Sequence, residues 1–148
     1  MGDLKTVIIT GANSGLGFET AKKIAKNMNY SLILACRTIE HGEKAREEII
    51  KETGNKNIKV LKIDTSVLSS VRNFAEEFQK LNIKLDRLIC NAGISSMHKG
   101  ITEEGFELVF ATNYLGHFLL TNLLLPYMNE DARIINVTSD MHNPPGRN

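Results

Sequence analysis

The chain has no tryptophan, three prolines, two cysteines and only 6% aromatic residues. Two cysteines in 148 residues cannot build the disulfide framework of a small secreted domain. Cys36 and Cys90 each stand near the end of an apolar run and read as small buried residues with free thiols. The histidines and cysteines show no metal-ligand spacing, so no metal is expected. Neither sign of charge prevails: 18 basic against 17 acidic side chains leave a net charge of +1. With no basic block, general attraction to nucleic acid or anionic lipid is excluded, and any anion site must be local. A long hydrophobic run is lacking as well. Phe118 to Leu125, interrupted by Thr121 and Asn122, is too short to span a bilayer, so no transmembrane segment is expected. Nothing at the N-terminus resembles a secretory signal, which points to the cytoplasm. Without repeats, low-complexity tracts or linkers, and with 42% hydrophobic residues, residues 1–148 read as a single domain.

What is present is a regular alternation. Apolar β-branched runs exchange with segments of helical period, the βαβ pattern that makes strands parallel and joins them by crossover helices. Strands are predicted at Lys5–Thr10, Tyr30–Cys36, Ile58–Ile63, Arg87–Cys90 and Arg133–Val137. Between the first two, Glu19 to Met28 carries Ala21, Ile24, Ala25 and Met28 at helical spacing. The next helix starts at the potential cap Thr38 and ends before Gly54. Ser66 to Leu81 sets Val71, Phe74, Ala75, Phe78 and Leu81 along one stripe. A last helix, from about Thr102 to Met128, opens on Glu103-Glu104, which suits a positive helix end. It is apolar nearly all round. Burial on more than one side is therefore expected, either against a partner subunit in a homo-oligomer or under further core.

In a parallel α/β sheet, ligands bind beyond the carboxyl ends of the strands. The first strand ends in Thr10-Gly11-Ala12-Asn13-Ser14-Gly15-Leu16-Gly17, a phosphate-binding turn whose glycines allow a sharp bend and a close approach while the following helix offers unpaired amides. A dinucleotide is the ligand this predicts. Arg37 follows the second strand, Asp64-Thr65 the third, Asn91-Ala92-Gly93 the fourth and Thr138-Ser139 the fifth. Arg37 stands where a carboxylate would bind the ribose 2′-hydroxyl of NAD. A guanidinium there grips a phosphate, so NADP (NADPH) is expected in preference to NAD. The strand order of this fold puts the first strand between Cys36 and Cys90, too far apart to bond.

With these residues assembled, the chain resembles the short-chain dehydrogenase/reductase family along essentially its whole length. Thr10 to Gly17 looks like that family's cofactor loop, with Gly11, Asn13, Ser14, Gly15, Leu16 and Gly17 as contacts, and Asp64 like its adenine-contacting acid. Asn91-Ala92-Gly93 resembles its sheet-stabilising motif beside the cofactor, Asn113 its active-site asparagine and Ser139 its catalytic serine. Ala35-Cys36-Arg37, Gly105-Phe106-Glu107 and Asn113-x-x-Gly116-His117-Phe118 look most like retinol-dehydrogenase-like and protochlorophyllide-reductase-like members, which use NADPH. The resemblance implies a Rossmann-type doubly wound sheet with helices on both faces. It also implies hydride transfer between nicotinamide and a small-molecule carbonyl or alcohol, Ser139 orienting the substrate oxygen and Asn113 supporting a water-linked proton path.

The family's catalytic Tyr-x-x-x-Lys is not found: four positions beyond Tyr30, Tyr114 and Tyr127 stand Leu34, Phe118 and Asp131. The final strands are missing too. The sequence therefore reads as the N-terminal, cofactor-binding part of a reductase, by itself weak in binding and inactive. The rival reading is a non-catalytic NADP-binding or regulatory module. His98, His117 and His142 read as packed or hydrogen-bonded residues and not as proton donors, although His117 lies one helical turn after Asn113.

Overall fold

A computed structural model describes residues 4–95, 97 and 99–139. Strands β1 (Lys5–Thr10), β2 (Tyr30–Cys36), β3 (Ile58–Lys62), β4 (Leu85–Cys90) and β5 (Met128–Asn136) form one parallel sheet in the order β3-β2-β1-β4-β5. Helices α1 (Gly15–Ala25), α2 (Ile39–Thr53), α3 (Leu68–Lys80) and a composite α4 (Leu108–Tyr127) connect them. Side chains alternate across a strand, so β1 feeds two cores at once. Val7 and Ile9 pack with Ala21, Ala25, Ala45 and Ile49 of α1 and α2. Ile8 packs on the other face with Val71, Phe74 and Phe78 of α3 and Leu120 and Leu124 of α4. A sheet covered on both faces accepts continuous apolar runs, which is why β1 and β2 begin and end where the sequence places them.

Helix boundaries depart from expectation wherever local turn chemistry intervenes. α1 starts at Gly15 inside the glycine turn, four residues early, and stops at Ala25. There Asn27 takes over: its side chain accepts from Asn29 N at 3.0 Å and its carbonyl accepts from Tyr30 N, leaving Met28 exposed. α2 matches its prediction. Thr38 stands at its N-cap position without a side-chain capping bond, and Gly54 closes it in a left-handed conformation.

The last helix begins at Leu108, not Thr102. Gly105, with φ +86°, turns the chain back so that Ile101 bridges Glu107 in antiparallel fashion. The acidic residues still serve helix ends, but different ones. Glu107 caps α4, accepting from Val109 N at 2.9 Å and Phe110 N at 2.7 Å, and those amides hold its carboxyl below the usual carboxylate range. Glu104 accepts from Leu68 N at the start of α3.

α4 contains a π-helical segment, Ala111–Leu115, before its regular turns Gly116–Leu124. The helix is 20 residues long and its most apolar 18-residue stretch has a mean hydropathy of 1.4, so by length and composition it is long and apolar enough to cross a membrane, contrary to the expectation drawn from Phe118 to Leu125 alone. Only one face of it joins the core, with His117, Leu120 and Leu124 buried and Tyr127 edge-on to Phe78. Phe110, Tyr114 and Phe118 stack along an outer stripe that is exposed in this single chain, the side on which a partner subunit or further core is expected. β5 is longer than Arg133–Val137, joining β4 first at Met128 and again, after a register shift, at Arg133.

Candidate active site at the carboxyl ends of the strands

The carboxyl ends of β1 to β4 converge on one open cleft of about 340 Å³. Its walls include Gly11, Asn13 and Ser14 after β1, Arg37 after β2, Asp64 and Thr65 after β3, and Asn91, Ala92 and Gly93 after β4. Of the sequence-predicted contacts, Gly15, Leu16 and Gly17 do not line it. Gly17 acts underneath: a Cβ there would strike the Gly11 carbonyl oxygen and sit 2.5 Å from Asn91 Nδ2, so only glycine lets α1 close on the turn. Leu16 faces solvent. Ser14, at the N-cap of α1, makes no side-chain capping bond, so the helix's first amides have no capping side chain from it.

Arg37 is exposed at the rim, and among the described residues no carboxylate lies within ion-pair distance of it. Asp64 Oδ1 accepts from Ser66 N at 2.9 Å and Ser66 Oγ at 2.6 Å, which holds the β3–α3 turn in shape. Asn91 Nδ2 donates to the carbonyls of Thr10 (2.9 Å) and Gly11 (3.4 Å), riveting the β4 turn to the glycine turn.

Asn113 and Ser139 lie outside the cleft's lining. Asn113 is exposed, but its amide clasps the next residue along the β4 turn: Ile94 N donates to its Oδ1 at 2.8 Å, and its Nδ2 donates to Ile94 O at 2.9 Å. Ser139 is exposed three residues beyond β5. His98 and His142 lie outside the described residues. His117 is buried and hydrogen-bonded, as expected, to Thr10 Oγ1 at 2.8 Å and to the Asn113 carbonyl at 3.2 Å, and burial pushes its pKa down. Cys36 and Cys90 are free and buried on either side of β1, and burial pushes both thiols up to about 11, leaving them inert.

Besides the apolar wall residues Ala35, Ile63 and Ile94, sequence reasoning did not assign Thr10 and Thr112. Thr10 is fully buried, and its hydroxyl accepts from the amides of both Asn91 and Ala92 at 2.9 Å. Thr112 lines the cleft from α4. A signal existed for the first, because a threonine closing an apolar strand beside a glycine turn is an internal hydrogen-bonding group. None existed for Thr112, which the π-helical segment brings to the wall. Among the described residues no cluster of three or more histidine, cysteine or acidic side chains could hold a metal.

The sequence profile described as short chain dehydrogenase matches residues 5–147. Retinol dehydrogenase 13 of Mus musculus is 45% identical over 140 residues, which are 93% of this chain and 42% of that protein. The chain thus spans less than half the length of that relative. A solved structure of an uncharacterised protein from Mycobacterium paratuberculosis superposes with a TM-score of 0.82 at 41% identity, covering 95% of this chain and 48% of the other. An alcohol dehydrogenase of the archaeon Thermococcus sibiricus, complexed with 5-hydroxy-NADP, gives a TM-score of 0.71 at 26% identity over 84% of this chain and 53% of its own. The profile runs through every turn that builds the cleft, and the chain belongs to the short-chain dehydrogenase family of oxidoreductases.

Proposed function

We propose that this chain forms the cofactor-binding part of an NADP(H)-dependent oxidoreductase acting on a carbonyl or alcohol. The observation that carries the reading is Arg37, a cation with no carboxylate partner among the described residues, at the rim of the cleft that holds the glycine turn. Its planar fork suits the 2′-phosphate that distinguishes NADP from NAD. The rest of the cleft fits a dinucleotide. The amides after Ser14 would hold a pyrophosphate, Asp64 and Thr65 the adenine end, and Asn91 to Gly93 the adjoining ribose.

Bound nicotinamide supplies or accepts the hydride. Ser139 would hold the substrate oxygen by a hydrogen bond, and Asn113 keeps the turn around Ile94 in place. The family's Tyr-x-x-x-Lys pair, which residues 1–148 do not contain, would deliver or take up the proton. The relative's name makes retinol and retinal the first substrate pair to try.

Titrating the natural full-length protein with NADPH and NADH, followed by nicotinamide fluorescence, tests this. NADPH is expected to bind about tenfold to hundredfold more tightly, a difference of roughly 1.4 to 2.8 kcal/mol, and to be consumed when retinal or another carbonyl is added. Equal affinities would overturn the cofactor assignment. Tight binding without turnover of any carbonyl or alcohol would make the protein a binding or regulatory module.

A further inference from the structure

Among the buried titratable side chains that the mechanism above leaves unused, His117 closes a hydrogen-bonded circuit. Thr10 Oγ1 meets His117 Nε2, and His117 Nδ1 meets the Asn113 carbonyl. The Asn113 amide clasps Ile94, and the chain runs back through Gly93 to Ala92 and Asn91, whose amides return to Thr10 Oγ1. We infer that His117 is a positioning residue, held as the neutral Nδ1–H tautomer, that ties the Asn113 turn of α4 to the end of β1 beneath the glycine turn. The kinetic part of this inference rests on the oxidoreductase reading; the tautomer does not.

The tautomer follows from counting protons. A threonine hydroxyl has one hydrogen and two lone pairs. The amides of Asn91 and Ala92, both at 2.9 Å, occupy the two lone pairs of Thr10. Its hydrogen is then directed at His117 Nε2, 2.8 Å away, so that nitrogen is an acceptor and carries no proton. The ring proton sits on Nδ1, 3.2 Å from the Asn113 carbonyl, which can only accept. A second ring proton would point at an oxygen with no lone pair left, in a site where the residue is 5% exposed. Burial favours the same neutral form. His117 therefore neither donates nor accepts a proton in turnover. It fixes where the Asn113 turn stands relative to the two turns that flank the cofactor, a placement to which rates are sensitive over fractions of an ångström.

Two measurements on the natural full-length protein test the inference. Nitrogen-15 histidine NMR of the unsubstituted protein should show His117 with a proton on Nδ1, none on Nε2, and no conversion to the doubly protonated ring through the ordinary histidine range. A proton on Nε2, or an ordinary titration, would overturn the inference whatever the enzyme does. In kinetics, His117→Phe removes both bonds while filling the space, whereas His117→Gln offers an amide oxygen to the Thr10 hydroxyl. The phenylalanine variant should lose about tenfold or more in kcat with KM for the nucleotide changed less than about threefold. The glutamine variant should recover most of that loss. A phenylalanine variant with undiminished kcat, or equal losses in both variants, would overturn the positioning role. No turnover by the unsubstituted protein would sink the oxidoreductase reading and leave the NMR to decide the tautomer alone.

Discussion

Leu88 of β4 and Ile134 of β5 are register partners on one face of the sheet, yet Leu88 is 0% exposed and Ile134 37%. Both sit in apolar strand runs, so strand chemistry does not separate them. What differs is cover. Leu88 lies under Phe74, Phe78 and Leu120, whereas β5 forms the sheet's edge with most of its residues open among the described ones. The β1–β4 part of the sheet thus carries its own core, whereas β5, though tied to β4 by Asn129–Asp86 and Arg87–Asp131 hydrogen bonds, is open along most of its described length. Truncation measures the contrast most strongly. Leu88→Ala should cost about 2–5 kcal/mol of unfolding free energy, the range for a buried leucine. Ile134→Ala should cost about 1 kcal/mol. Urea titration of both variants decides, and a loss at Ile134 equal to that at Leu88 would mean that β5 is covered in the intact protein.

A smaller effect should fall on the cofactor side alone. Gly17→Ala places a methyl group against the Gly11 carbonyl and Asn91 Nδ2, where backbone has to give, at a cost of about 1–3 kcal/mol. Because those atoms join the β1 and β4 turns, nucleotide affinity should fall along with stability. Calorimetric titration with NADPH shows whether it does; unchanged affinity would uncouple the rivet from the site. Arg37→Asp comes next. It touches no core, so stability should stay within about 0.5 kcal/mol, while NADPH affinity drops about tenfold to hundredfold and that for NADH does not. A parallel loss for both nucleotides would break the 2′-phosphate assignment.

The same contrast governs what could be read from the residues. β1 and β2, Lys5–Thr10 and Tyr30–Cys36, were legible to the residue because both faces are buried and the apolar run has no alternative use. Gly54 was legible because a left-handed cap needs glycine. The start of α4 was not: Glu103-Glu104 suits a helix end, but Gly105 already bends the chain, and the capping falls to Glu107. Nor was the exposure of Phe110, Tyr114 and Phe118, since composition gives the hydrophobicity of a helix but not which neighbours reach it. At the site, the strand-end residues around the cleft could be listed from their spacing. The circuit through Thr10 and His117 could not, because it joins residues 107 positions apart through single atoms.

That circuit yields the smallest effect, and its sign can be worked out. The His117 pKa lies below the ordinary value of 6.5 in the folded protein because burial disfavours the charged ring; the Asn113 carbonyl pulls the other way and is the weaker influence. Unfolded, the same ring titrates near 6.5. Above that pH the ring is neutral in both states and its contribution to stability is fully present. As pH falls below 6.5, the unfolded chain binds a proton that the folded ring refuses, so stability declines until the folded ring also titrates, where the loss levels off. Urea midpoints at pH 7.5 and 5.5 should therefore fall further apart in the unsubstituted protein than in His117→Phe, which has no ring nitrogen to protonate. The remaining histidines contribute equally to both proteins, and the comparison cancels them. Equal spacing of the midpoints would mean that His117 accepts its second proton in place, and that the Thr10 hydroxyl turns over to receive it.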